Sequence, residues 1–144
     1  MGNTSLAGKV GVAFGAFYVV LGIIGFFVTG FGGALTGEHG DSILGISINQ
    51  FHNLVHLGIG ILLLALAMQK NVAATEGAVM GVGLFYVTAF IIGVIGPDNL
   101  TIIGMRGAGD PANFFHLISG LALLVTGLVS SGATAAQAKK RGLA

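Results

Sequence analysis

The chain has 144 residues, of which 54% are hydrophobic and only 8% are charged. An ordinary soluble domain carries about 25% charged residues, so this composition cannot supply a water-facing surface. The net charge of +1 provides no basic surface for nucleic acid, and the absence of cysteine excludes disulfides, iron–sulfur clusters and thiol chemistry. The composition argues against a soluble enzyme, a nucleic-acid-binding protein and a disordered segment. It predicts a single integral membrane domain over residues 1–144.

Four apolar stretches are long enough to cross a bilayer, which takes about 20 helical residues. They cover about 10–31, 49–68, 78–96 and 111–131. Pro97 ends the third stretch, and Pro111 suits the first turn of a helix in the fourth. Backbone polar groups in lipid must be satisfied within their own segment, so each stretch is predicted to be helical. The predicted fold is therefore all-α, a bundle of four transmembrane helices.

The placement of basic residues predicts the orientation of this bundle. Five of the six basic residues fall at the N-terminus, between the second and third spans, or in the tail at 132–144: Lys9, Lys70, Lys139, Lys140 and Arg141. Only Arg106 falls on the other side. Because basic residues are enriched in cytoplasmic loops, both termini and the tail are predicted to lie in the cytoplasm.

The two halves of the sequence match in register, which predicts an internal repeat. The matching positions of the first and third spans are Gly15, Phe17 and Tyr18 with Gly83, Phe85 and Tyr86. Those of the second and fourth spans are Asn53, His56 and Gly60 with Asn113, His116 and Gly120. The chain is therefore predicted to contain two parallel helical hairpins, repeat 1 at about 10–68 and repeat 2 at about 78–131. A pseudo-twofold axis along the membrane normal would relate them.

Polar residues form a stripe inside the second and fourth spans. The stripe consists of Asn49, His52, Asn53, His56, Asn113 and His116. On each helix the repeated Asn and His are three residues apart and share one face. Unpartnered polar groups in lipid are costly, so these side chains are expected to face the bundle interior. The most economical partner for each motif is the same motif in the other half.

The first interpretation of the stripe is structural. Asn and His side chains hydrogen-bond across helices and fix their register, each contact contributing about 0.6–2 kcal/mol. Small residues let backbones approach, and the candidate packing positions are Gly11, Gly15, Gly22, Gly60 and Gly120. On this interpretation the protein is a non-catalytic accessory or scaffolding component of a membrane complex, or a self-associating bundle.

The second interpretation is a haem site. Two imidazoles at equal depth on different helices, those of His56 and His116, suit axial ligation of a b-type haem. Asn53 and Asn113 would then orient the two ligands. Against this interpretation, the bundle has little spare volume for a porphyrin, and only Arg106 could pair with a propionate.

The third interpretation is a metal site at the outer ends of the helices. His52 and His56 are spaced i, i+4 on the second span. Two histidines with this spacing on a helix can hold zinc or copper. Further ligands would come from the glycine-rich loop before the second span, which contains Glu38, His39 and Asp41. No cofactor is assigned on these grounds alone, and haem b or a transition metal is the alternative to a purely structural stripe.

No catalytic site is evident. The serines near or within the spans show no nucleophile motif, and the glycine-rich loop lacks the lysine of a phosphate-binding loop. No predicted span contains Asp, Glu, Lys or Arg, which disfavours a stand-alone transporter. The sequence therefore predicts a protein that is not an enzyme. Its predicted partners are the lipid bilayer and other membrane subunits or further copies of the chain, not nucleic acid.

Two segments of the chain carry a resemblance to a known family. They read Leu44-Gly45-Ile46 followed by Asn49-Gln50-Phe51-His52-Asn53-Leu54-Val55-His56-Leu57, and later Asn113-Phe114-Phe115-His116-Leu117. Over most of residues 10–130 the chain resembles a family of small four-helix bacterial, mainly actinobacterial, membrane proteins. Members often have Pro where this chain has Gln50. The resemblance implies a four-helix integral fold in a bacterial plasma membrane, and it implies no activity because the family is a domain of unknown function.

Overall fold

The computed structural model describes residues 3–32, 34–37, 41–96 and 102–143. Within these ranges the elements are α1 (Leu6–Thr29), β1 (Ser42–Ile43), β2 (Ile46–Ser47), α2 (Gln50–Ala67), α3 (Val72–Ile95) and α4 (Ala112–Lys140). The predicted bundle of four helices is confirmed. A two-stranded hairpin between α1 and α2 is the addition that the sequence did not predict.

Short polar residues and proline mark where the helices begin. The Asn49 side chain accepts a hydrogen bond from the backbone N–H of His52 at 2.8 Å, at the start of α2. The Asn71 side chain accepts one from Ala74 at 3.1 Å, at the start of α3. Pro111 directly precedes α4. A capping oxygen satisfies an N–H group that has no partner within the helix, so these residues set the helix starts in an otherwise apolar chain.

The helices pack as two closely joined pairs. Contacts are most extensive between α1 and α2 and between α3 and α4, and they are sparse between the two pairs. Glycines lie where the paired backbones approach. A Cβ added to Gly15 would meet the Gly60 oxygen at 3.0 Å, and one added to Gly120 would meet the Gly83 oxygen at 3.0 Å. Only glycine permits such an approach, so backbone contact holds each pair together. The interpretation of the pairs as repeats stays a prediction.

The bundle carries large apolar side chains both in its interior and on its outer surface. A small apolar core between the pairs includes Leu63, Val79, Val82 and Leu123. Large apolar side chains also point outward on all four helices, among them Phe17, Ile61, Phe85 and Val125. All four helices are long and apolar enough to cross a membrane, as predicted. An outward apolar surface around such helices is the surface that an integral membrane protein presents to lipid.

Two helices extend beyond the apolar stretches that predict them. The helix α3 begins at Val72, ahead of its apolar stretch, and its first turns include Glu76, which is hydrogen-bonded to α4. The helix α4 continues to Lys140, through most of the segment 132–144 that is predicted as the cytoplasmic tail. Hydropathy detects only the apolar part of a helix, and the alanine, glutamine and lysine residues beyond it are strong helix formers.

Two loops cover one end of the bundle, which we call the covered end. Strands β1 and β2 pair antiparallel around a turn at Leu44 and Gly45, whose φ angles of 52° and 82° are those of a type I′ turn. The segment 102–111 lies over the start of α2. A Cβ added to Gly104 would meet the carbonyl carbon of Ile48 at 3.0 Å. The opposite end of the bundle, where α1 and α3 begin, is called the far end.

Candidate metal centre

Three imidazoles converge at the covered end. His52, His56 and His116 form what we call the histidine cluster. His52 and His56 lie one turn apart on α2 with ring centroids separated by 4.5 Å, and the ring of His116, on α4, lies 5.7 Å from that of His52. The potential ligand nitrogens of the three side chains all lie within 4.8 Å of one another, and all three residues are buried. Three imidazole nitrogens this close together could all bind one metal ion.

The capping residue of α2 positions the cluster. Asn49 accepts from the N–H of His52, which fixes the first turn of α2. Its Nδ2 also donates to the carbonyl oxygen of Ile102 at 3.0 Å, in the segment that leads to α4. Because Asn49 binds both segments, it brings the start of α2 close to the start of the helix that carries His116.

Two tyrosines pack against the histidine cluster. The rings of Tyr18, on α1, and Tyr86, on α3, stack with centroids 5.1 Å apart and planes inclined by 15°. Tyr18 also contacts the ring of His56 at 5.4 Å, and Tyr86 contacts that of His116 at 5.3 Å. Aromatic pairs at such distances contribute about 0.5–1.5 kcal/mol beyond their burial. Four rings, one from each helix, therefore fix the positions of two of the three potential ligands.

Ring nitrogens of the histidine cluster are buried without hydrogen-bond partners among the described residues. They are Nδ1 and Nε2 of His52, Nδ1 of His56 and Nδ1 of His116. Backbone groups of Ser47 and Ile103 approach the His52 ring, but not with good hydrogen-bond geometry. A buried polar atom without a partner costs about 1–3 kcal/mol. Since nearly all buried polar groups in proteins have a partner, these ring nitrogens are exceptions that need an explanation.

The asparagines of the stripe contact their own helix pair, not the opposite one. Asn53 donates its Nδ2 to the hydroxyl of Thr29 at 3.0 Å, at the end of α1. Asn113 donates its Nδ2 to the carbonyl oxygen of Gly107 at 2.9 Å, in the preceding loop. The expectation that each motif pairs with the other half is therefore wrong for the asparagines, because nearer oxygens in the same half accept from their Nδ2 groups. It is the histidines that meet across the two halves.

A buried carboxylate lies beside the histidine cluster. Asp110 accepts hydrogen bonds from the backbone N–H of Ala112 at 2.9 Å and of Arg106 at 3.1 Å, through different oxygens. It is close enough to act electrostatically on both His52 and His116. The sequence analysis did not find a role for this residue. The available signal was a carboxylate directly before the helix that carries a motif histidine.

Two small cavities flank the histidine cluster, each of about 30 Å³. One lies toward Tyr18 and Phe115, and the other toward Phe85 and Tyr86. A volume of about 30 Å³ is that of one water molecule in the liquid, whereas pockets for small molecules measure about 300–1,000 Å³. The space beside the histidines therefore suits an ion and a water molecule, and it is far smaller than a porphyrin needs.

The outer metal site predicted from His52 and His56 with the loop residues Glu38, His39 and Asp41 is not assembled by the described residues. Glu38 and His39 lie outside the described residues. Asp41 is described, but it is not part of the group that the histidines form. The histidines that two separate hypotheses assigned to a haem and to an outer metal site meet instead in one cluster.

A second group of polar side chains lies at the far end. Glu76, Ser130 and Thr134 form what we call the polar clamp. One oxygen of Glu76 accepts from the hydroxyls of Ser130 at 2.8 Å and Thr134 at 2.7 Å. The Ser130 oxygen accepts in turn from the backbone N–H of Ala7 at 3.3 Å. The clamp thus joins α1, α3 and α4. The sequence analysis missed it, because Glu76 lies outside the apolar stretches.

The glycines predicted for helix packing lie at close contacts between helices. They are Gly11, Gly15, Gly22, Gly60 and Gly120. Two further glycines face the asparagines of the stripe. A Cβ added to Gly25 would collide with the side chain of Asn53, and one added to Gly93 would collide with that of Asn113. These two glycines therefore make the room in which the asparagines reach their hydrogen-bond partners.

Comparison with known proteins identifies the family of the chain. A family model described as a domain of unknown function, DUF4383, matches residues 9–129. The matched range contains the histidine cluster, both stacked tyrosines and Asp110. No curated protein and no solved structure matches the chain. The resemblance to a family of unknown function is thereby confirmed, and the chain belongs to the DUF4383 family.

Proposed function

We propose that this protein binds one transition-metal ion at the histidine cluster, inside its membrane bundle. The observation that carries the proposal is the convergence of three buried imidazoles whose ligand nitrogens lie within 4.8 Å of one another. The unpartnered ring nitrogens support it, because a metal ion would satisfy them. Imidazole is a common ligand of zinc, copper, iron and nickel. The proposed activity is binding, without a catalytic step.

The cluster needs only small movements to hold an ion. Imidazole nitrogens bound to one metal at about 2.0–2.1 Å lie about 3.3–3.6 Å from one another in tetrahedral or trigonal geometry. In the structure these nitrogens lie within 4.8 Å of one another. Side-chain rotations that shift each nitrogen by about 1 Å would close the site. The flanking cavities leave room for such rotations.

The short distances between the rings of the histidine cluster and the two tyrosines favour an ion over a haem. A haem held between His56 and His116 would have to replace the ring of His52, which lies against both other members of the cluster. It would also displace the tyrosine rings that stack on the two ligands. An ion leaves these aromatic contacts in place.

The proposed orientation places the histidine cluster toward the extracytoplasmic side. The basic residues Lys9, Lys70 and Lys139 lie at or near the far end, where α1 and α3 begin and α2 and α4 end. An excess of basic residues marks the cytoplasmic side of a membrane protein, with both termini inside. An ion would then reach the covered end from outside the cytoplasm.

The test is metal binding by detergent-purified protein and two single variants. We expect the parent to bind one equivalent of copper or zinc, measured by equilibrium dialysis and elemental analysis. His116→Ala removes one ligand and should weaken binding about a hundredfold or more, since even groups behind the ligands contribute about 10–100-fold. His39→Ala is the matched control, because it belongs only to the loop site predicted with Glu38 and Asp41, and it should bind as the parent does.

Each of the other possible outcomes would support a different site or a different function. A loss of binding in His39→Ala and not in His116→Ala would place the metal in the loop before α2. A Soret band in the parent spectrum would show a haem. A parent that binds neither a metal nor a haem would contradict the proposal and favour the accessory or scaffolding function.

A further inference from the structure

We infer that the histidine cluster selects monovalent copper over divalent ions such as zinc. This inference rests on the proposed metal site and adds the class of ion that the site takes. Its basis is the charge that surrounds the three imidazoles. Imidazole binds a metal as a neutral ligand, so His52, His56 and His116 contribute no charge that could balance an ion.

Asp110 supplies the negative charge that the structure places beside the cluster. Its two oxygens are held by backbone N–H groups, so the carboxylate stays at a fixed position and does not join the ligands. Its hydrogen bond to Ala112 holds it at the start of α4, the helix that carries His116, and it is close enough to influence His52 on α2 as well. One carboxylate balances one positive charge. Counting the three imidazoles and Asp110 alone, a monovalent ion at the cluster forms a neutral assembly, and a divalent ion leaves one uncompensated positive charge.

The surroundings make that remaining charge costly. The cavities on either side of the cluster are lined largely by apolar and aromatic side chains, among them Leu21, Val55, Phe85, Ile103 and Phe115. The energy of burying a charge in such surroundings rises with the square of the charge, and it is only partly offset by ligands. A buried divalent ion with one compensating carboxylate is therefore disfavoured relative to a monovalent one.

The number of ligands points the same way. Three imidazoles complete the trigonal coordination that monovalent copper accepts, whereas zinc in proteins is almost always four-coordinate. A water molecule in one of the flanking cavities could complete a zinc site, since each cavity has about the volume of one water. Coordination number alone therefore does not decide between the ions. A zinc-bound water can balance the remaining charge only by losing its proton, with a pKa of about 7, so the charge balance decides below that pH and the two affinities are compared at about pH 6.

The experiment changes the charge beside the cluster in both directions. Ser119 lines the cavity that also contains the three histidines, so Ser119→Asp adds a second carboxylate and Ser119→Asn is its neutral control. Asp110→Asn removes the existing carboxylate. For each protein, the affinity for copper(I) is measured anaerobically with ascorbate against bicinchoninate. The affinity for zinc is measured against a chromophoric chelator.

Each added or removed charge changes the electrostatic energy of a divalent ion twice as much as that of a monovalent one. At separations of about 6–10 Å and an effective permittivity of about 20, one unit of charge changes affinity about 10–100-fold. We expect the parent to bind copper(I) at least about a hundredfold more tightly than zinc. Ser119→Asp should shift the ratio of affinities toward zinc by about 10–100-fold, and Ser119→Asn should leave it unchanged. Asp110→Asn should weaken both ions and shift the ratio toward copper(I).

The outcomes separate this inference from the proposed function. A parent that binds zinc as tightly as copper(I), or a ratio that Ser119→Asp does not move, would overturn the inference and leave the metal site intact. A parent that binds no ion would contradict the metal site itself. If Asp110→Asn does not fold, the preference of the parent and the pair of Ser119 variants still decide. X-ray absorption of the copper(I) form should show three nitrogen neighbours at about 2.0 Å.

Discussion

The two ends of the bundle differ in whether their buried polar side chains have hydrogen-bond partners. At the far end, Glu76 accepts from two hydroxyls, and Ser130 also accepts a backbone N–H. At the covered end, ring nitrogens of the histidine cluster are buried without hydrogen-bond partners among the described residues. A satisfied buried group stabilises the fold, whereas an unsatisfied one costs free energy unless a ligand binds it. The polar clamp is therefore structural, and the histidine cluster has the character of a binding site.

The largest effect on stability is expected from a methyl group added at the covered end. In Gly93→Ala the new Cβ would collide with the side chain of Asn113. Asn113 lies one turn before His116 on α4, and its Nδ2 donates to the preceding loop. Such overpacking should lower the free energy of unfolding by about 3 kcal/mol and weaken metal binding as well. Thermal unfolding in one detergent, with a metal titration, measures both effects.

The control for this variant lies on the same helix. A Cβ added to Gly81 would meet no atom within 4 Å. Gly81→Ala should therefore unfold at the same temperature as the parent or slightly higher, because alanine favours a helix over glycine by about 1 kcal/mol. Equal losses in Gly81→Ala and Gly93→Ala would show that the contact with Asn113 is not what matters.

A smaller effect is expected at the far end. Glu76→Leu removes the acceptor of two hydroxyls and should cost about 2 kcal/mol of unfolding free energy. Glu76→Gln keeps an oxygen at that position and should cost less than about 1 kcal/mol. Both variants should bind metal as the parent does, because the clamp lies at the other end of the bundle. Reduced metal binding in Glu76→Gln would contradict the conclusion that the polar clamp has no part in metal binding.

The smallest effect on stability is expected when one histidine of the cluster is replaced and no metal is present. In His52→Leu the loss of aromatic contacts is offset by the removal of two buried nitrogens that have no well-formed hydrogen bonds to the described part of the chain. The unfolding free energy of the metal-free protein should therefore change by less than about 1 kcal/mol. Added metal should raise the unfolding temperature of the parent and not that of the variant. A metal-free loss as large as that of Glu76→Leu would indicate a structural role for His52.

The helices and part of the site could be predicted from local pattern. Apolar length locates four helices, and the spacing of Asn and His places His56 and His116 on the inner faces of α2 and α4. The contact between His52 and His116 could not be predicted in this way. It depends on the rotation of each helix about its axis, which glycine contacts and loop hydrogen bonds determine in three dimensions.

The two buried carboxylates show a different limit of the sequence. Asp110 and Glu76 lie outside the apolar stretches, so hydropathy assigns both to loops. Glu76 is buried because Ser130, 54 positions away in the sequence, donates to it. Asp110 is buried because backbone N–H groups of its own loop bind it. The partner of Glu76 leaves no pattern along the chain because it is distant, and the only signal of Asp110 is its position directly before α4.

The sparse contact between the two helix pairs has a consequence for how the protein assembles. Each pair is joined by its own glycine contacts, and the pairs meet at the small apolar core, at the polar clamp, and at the stacked tyrosines with the histidine cluster. Each pair would therefore insert into the bilayer as a preformed hairpin, with the joining of the two hairpins as a later step. An ion held by α2 and α4 would link the hairpins in a chain that has no cysteine to do so. On the proposed function, the supply of metal would then add to the contacts that hold the two halves of the protein together.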